Sequence, residues 1–114
     1  MASGKARLFD LQAQICTTLA DANRVLILHE LRPGERSVSQ LAASLGLPQS
    51  NVSHHLAILR ENAIVLTRRE GTTKYYRLAD ERIATACDLV REVVRGNLIR
   101  GEDLAHSLAS SGKD

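Results

Sequence analysis

The sequence predicts a mainly α fold with one small β-hairpin, built from about five helices. Three observations point to it. Two short amphipathic segments meet at Gly46 with only a few residues between them, as helices joined by a tight turn do. After Asn62 the hydrophobic period changes from that of a helix to that of a strand, on both sides of the turn signal Glu70-Gly71-Thr72-Thr73. One Phe, two Tyr and no Trp leave Leu, Ile, Val and Ala to build an aliphatic core. At 114 residues the chain supports one domain. We expect it over residues 7–100, between a flexible tail at 1–6 and a C-terminal tail at 101–114.

Taken in order, Leu8, Leu11, Ile15 and Leu19 follow helical spacing and predict a first helix from Arg7 to Leu19. Asp21 is placed to cap a second helix through Val25, Leu28 and Leu31, which Pro33-Gly34 ends. Ser37 and Gln40 have the spacing of a capping box and open a third helix carrying Leu41, Ala42 and Leu45. Gly46 suits the left-handed position that closes it. In the fourth helix Val52, Leu56 and Leu59 form an apolar rear, while the front is polar and short-sided. Two strands follow, Ile64–Arg69 and Lys74–Leu78. A helix-turn-helix followed directly by such a hairpin is a winged helix-turn-helix. Asp80 is placed to cap a fifth helix, striped by Ile83, Cys87, Val90, Val94 and Asn97 or Leu98 and widened by Ala86, Leu89 and Val93.

The net charge of +2 says little about partners, but its distribution is uneven. Between Arg60 and Arg77 five basic residues stand against two acidic ones, the local excess that phosphate contact needs. We expect Gln49, Ser50, Asn51, Ser53 and His54 to face a DNA major groove, where Gln or Asn can pair bidentately with adenine. Both adjacent imidazoles, His54 and His55, are expected exposed on that side, and His29 half-buried in the second helix; His106 falls in the tail. Arg68, Arg69, Lys74 and Arg77 are candidates for wing and backbone contacts, though alternate strand residues face away, and Arg60 for a phosphate contact from the end of the fourth helix. No long apolar run marks a leader or a spanning segment, so a cytoplasmic protein with reduced thiols and no membrane partner is expected. No catalytic constellation emerges, and no enzyme activity or cofactor is expected.

This order of elements resembles the ArsR/SmtB family of winged-helix repressors. The resemblance is carried by Leu19-Ala20-Asp21-Ala22-Asn23-Arg24-Val25-Leu26-Ile27-Leu28, by Ser37-Val38-Ser39-Gln40-Leu41-Ala42, by Gln49-Ser50-Asn51-Val52-Ser53-His54-His55-Leu56, and by Arg68-Arg69-Glu70-Gly71 through Tyr76-Arg77-Leu78. It implies a homodimer that binds imperfect palindromes in double-stranded promoter DNA and, in many members, leaves DNA on sensing a metal or a thiol-reactive signal. The dimer also has a physical argument. The first and fifth helices carry apolar stripes at opposite ends of the chain, and pairing each with its copy would bury both.

The sensor motifs of that family are mostly missing. Its pattern Glu-Leu-Cys-Val-Cys-Asp-Leu reads here Glu35-Arg36-Ser37-Val38-Ser39-Gln40-Leu41, with hydroxyls for both thiolates. Of its fifth-helix zinc ligands only Asp80 matches; Arg82 holds the His position and the later ones fall near Val93 and Gly96. The second-helix cysteine of a thiol-sensing subgroup falls at His29. No metal is expected. Cys16 and Cys87, on the first and fifth helices, remain as a candidate thiol sensor, against a reading of both as small buried hydrophobes. A DNA-binding repressor is thus the favoured function. The alternative is a winged helix that contacts protein and not DNA, which an acidic or apolar wing would have favoured.

Overall fold

Capping decides where the helices begin. In the computed structural model, which describes residues 3–101, α1 spans Gly4–Thr18 and starts three residues before the expected Arg7. The cause is local: the Ala6 N–H donates to the Ser3 hydroxyl at 3.1 Å, so Ser3 is the cap and residues 4–6 are helical, not frayed. α2 spans Ala22–Glu30 behind Asp21, whose carboxylate accepts from the N–H groups of Asn23 and Arg24 at 2.9 and 3.2 Å. α3 spans Val38–Leu45 behind the capping box, with Gln40 N–H donating to the Ser37 hydroxyl and Ser37 N–H donating to the Gln40 side chain. Gly46 closes α3 at φ +67°, a left-handed conformation that costs glycine nothing.

α4 spans Gln49–Glu61, three residues after Gly46. Its end is a Schellman motif: Ala63 N–H donates to the Arg60 carbonyl and Ile64 N–H to that of Leu59. The left-handed position falls on Ala63 at φ +58°, where glycine is the usual occupant. The hairpin follows as β2, Val65–Glu70, and β3, Thr73–Leu78, paired antiparallel with Val65 opposite Leu78 and Arg69 opposite Lys74. Gly71 turns it at φ +62°. A third strand was not expected: β1, only Arg36–Ser37, pairs antiparallel with Tyr75 and Tyr76 in the middle of β3, giving the order β1-β3-β2.

The core gathers Ile27, Leu28 and Leu31 from α2 and its cap, Leu41 from α3, Val52, Leu56 and Leu59 from α4, and Ile64 and Val65 at the start of the hairpin, all essentially without solvent exposure. Each α4 anchor comes from the predicted apolar rear. The chain divides into two units, one ending at Glu81 and the other beginning at Arg82. α5, Glu81–Ile99, supplies the second, and Leu89, Val90, Val93, Leu98 and Ile99 along it are each more than half exposed in the single chain. Leu8 and Phe9 of α1 are exposed to the same degree. The expected tail beyond Gly101, with His106, lies outside the described residues.

Candidate nucleic-acid interface

Helical spacing places Gln49, Ser50, Asn51, Ser53 and His54 on the side of α4 away from its buried rear, and all five are exposed. Gln49, Ser50, Asn51 and Ser53 make no side-chain hydrogen bond with a described residue, so their donors and acceptors face outward unspent. His54 shares that side, its ring centroid 5.8 Å from that of His55.

His55 departs from expectation. It is 8% exposed, on the buried side, and its Nδ1 lies 3.3 Å from a guanidinium nitrogen of Arg24. Three residues after Val52 and four before Leu59, it falls within the apolar stripe, whereas His54 is rotated about 100° outward. Arg24 also donates from Nε to the Thr18 carbonyl at the end of α1. Asp21 lies near both groups; its carboxyl is held below its ordinary value chiefly by the Arg24 N–H, with the Asn23 N–H and the charge of Arg24 adding to the effect. His29, expected half-buried, is exposed on α2.

Alternation along the hairpin sorts its four cations into two pairs. Arg69 and Lys74 are directly opposed across the strands, on the same face as the buried Val65 and Tyr76. Near the tip that face runs past the core, and both side chains are exposed without an ion pair to a described residue. Lys74 and Thr72 border an open cleft of about 300 Å³ whose other walls are Ser37 and Ser39 at the start of α3 and Gln49 and Ser53 on α4. The cleft thus joins the front of α4 to the wing tip.

Arg68 and Arg77 project from the opposite face. Arg68 is gripped by Glu35, whose two carboxylate oxygens accept from it, and pairs with Glu70 at 3.3 Å. Its guanidinium carbon lies 4.7 Å from the ring centroid of Tyr75, the residue opposite it in register. Glu35 is held below the ordinary carboxylate range, first by the hydrogen bond from Arg68, then by the charges of Arg68 and Arg77. Arg77 and, at the last turn of α4, Arg60 are exposed and make no ion pair with a described residue. The pattern of basic residues could not reveal that Arg68 is engaged, because Glu35 is 33 residues away along the chain.

The Ser37 hydroxyl, which stands where the family motif has a thiolate, serves as the cap of α3 and lies 3.2 Å from the hydroxyl of Ser39. No group of three His, Cys, Asp or Glu residues suited to a metal ion occurs among the described residues. Cys16 is exposed on α1; Cys87 is half-buried on α5, and burial pushes its thiol up. No helix among the described residues is long and apolar enough to cross a membrane.

Comparison with known proteins places this geometry. Residues 21–65 match the model of a family described as bacterial regulatory protein, arsR family. The HTH-type transcriptional regulator KmtR of Mycobacterium tuberculosis is 47% identical over 64% of this chain and 56% of its own length. The regulator Rv0324 of the same organism is 38% identical over 82% of this chain and 42% of its own length, so the chain spans about half the length of these two relatives. Among solved structures, it superposes with a TM-score of 0.75 on a homodimeric winged helix-turn-helix DNA-binding domain, Mb0332 of Mycobacterium bovis, described as a possible ArsR-family transcriptional regulator. That match has 37% identity and covers 86% of this chain and 91% of that one. The fold is a winged helix-turn-helix, and the chain belongs to the arsR family of bacterial regulatory proteins.

Proposed function

We propose that this protein is a sequence-specific DNA-binding transcription regulator of the cytoplasm that acts as a homodimeric repressor at a palindromic operator. The observation that carries the proposal is the outward-facing, unspent polar front of α4, joined by one cleft to Lys74 at the wing tip. Gln49, Ser50, Asn51, Ser53 and His54 read base edges in the major groove, or hold phosphate in the case of the serines. Arg69 and Lys74 contact the backbone or minor groove from the tip, and Arg60 and Arg77 reach phosphates farther out. The apolar residues exposed on α1 and α5 support the dimer, since a second copy would remove them from water.

The test is a titration of fluorescent duplexes from the region upstream of the protein's own gene, with footprinting of the bound fragment and light scattering of the free protein. A protected palindrome and the mass of a dimer are expected. Binding equal to that of scrambled DNA removes sequence-specific reading and favours the use of the wing for protein contact.

A further inference from the structure

The fully buried Val52, Leu56 and Leu59 hold α4 against the core, but apolar burial is non-directional. It fixes how close the helix lies and only loosely how far it is rolled about its axis. Roll matters here. Side-chain tips on a helix stand about 5–6 Å from the axis, so about 10° of roll moves them by about 1 Å. That is enough to spoil a bidentate contact to a base edge. A directional contact is present at one point of the buried face, on the residue immediately after His54. There the Arg24 guanidinium meets His55 Nδ1 at 3.3 Å while its Nε donates to the carbonyl of Thr18. The arginine is therefore tethered at the end of α1 before it reaches α4. An arginine can only donate, so Nδ1 is the acceptor in this contact.

We infer that Arg24 is a positioning residue for the reading of DNA: anchored on Thr18, it sets the roll of α4 through His55 and so aligns the polar front with the bases. The inference rests on the DNA-binding function proposed above. It also ties the end of α1 to the orientation of the reading helix, beside the Gln14 side chain of α1 that donates to Asn62 at the C-cap of α4.

The test compares a duplex selected from random sequence by the wild-type protein with a scrambled duplex of equal length. Arg24→Lys keeps the charge but loses the fork, and His55→Asn keeps an acceptor near the position of Nδ1. Arg24→Gln lowers the preference for the selected duplex by about tenfold, the scale of one charge-assisted hydrogen bond, and leaves affinity for the scrambled duplex and its salt dependence unchanged. Arg24→Lys loses part of the preference and His55→Asn loses less than His55→Leu. The double variant Arg24→Gln/His55→Leu loses no more than the worse of the two single variants, because one contact is broken either way. Partial unfolding lowers both affinities by the same factor, so the ratio separates positioning from mere stability. A ratio unchanged in Arg24→Gln and Arg24→Lys, or losses that multiply in the double variant, overturns the inference. A wild-type protein that selects no sequence overturns the DNA-binding function and this inference with it.

Discussion

The front of α4 and the wing both present polar groups near one cleft, yet they are built on opposite terms. On α4 the anchoring is done from the buried side, by the apolar rear and the Arg24–His55 contact, so Gln49, Ser50, Asn51 and Ser53 keep their hydrogen-bonding capacity for a partner. On the wing, a two-stranded ribbon with little core beneath its tip, charge itself does part of the anchoring. Arg68 is spent on Glu35, Glu70 and Tyr75, while Arg69 and Lys74 across the pleat stay open. Basic residues in one hairpin are therefore not interchangeable. Which face of the strand they occupy decides whether they hold the wing or can touch a phosphate.

The largest test of the contrast is at its anchored end. Leu56→Ala should destabilise the protein by about 2–5 kcal/mol, because it opens a cavity under α4, and urea unfolding measures it. A loss near that of a surface substitution would mean the rear is not what holds the helix. Next, Asn51→Ala should cost about 1–3 kcal/mol of discrimination at particular base pairs while binding to unrelated DNA is kept, which competition against single-base variants of the bound site would show.

The two faces of the wing should then separate by salt. Arg69→Ala and Lys74→Ala are each expected to weaken binding to all sequences and to reduce the slope of log K against log salt by about 1. Arg68→Ala in a Glu35→Gln background should leave the slope unchanged. Equal slopes for all three would erase the distinction between the faces.

Acid probes the same pair more gently. The carboxyls of Glu35 and Asp21 are held below their ordinary values, by the Arg68 guanidinium and by the N–H groups of Arg24 and Asn23 respectively. Each therefore stabilises the native state above the ordinary carboxylate range and loses that contribution as pH falls through its native value. Urea midpoints should decline on acidification below about pH 4.5, and Glu35→Gln or Asp21→Asn should shrink the decline. At the small end, Ala63→Gly should stabilise by up to about 1 kcal/mol by relieving the left-handed φ, less the entropy that glycine adds to the unfolded chain.

Much of this was legible because its causes are local. The Asp21 cap, the Ser37/Gln40 box, the Gly46 closure, the apolar rear of α4 and the Gly71 turn all act within a few residues, and each stands where spacing put it. β1 escaped because two residues carry no period, and their partners Tyr75 and Tyr76 lie far along the chain. Glu35 and Arg24 escaped for the same reason: their partners are 33 and 31 residues away. His55 is a different case. Its distances from Val52 and Leu59 placed it on the inner face, and treating the two imidazoles as a pair hid that.

Ser37 ends the shortest strand and begins a helix: its N–H is committed to the Gln40 side chain, its hydroxyl to the Gln40 N–H, and its backbone runs beside Tyr75. This makes β3 an interior strand at its middle, Tyr75 and Tyr76, and β2 an edge along its whole length. Amides of β3 at Tyr75 and Tyr76 should thus exchange with deuterium only when the helical core opens, whereas the tip, from Arg69 to Lys74, exchanges on its own. The hairpin is then two cooperative pieces, a root that melts with the body and a tip free to adapt, with the boundary drawn by a two-residue strand.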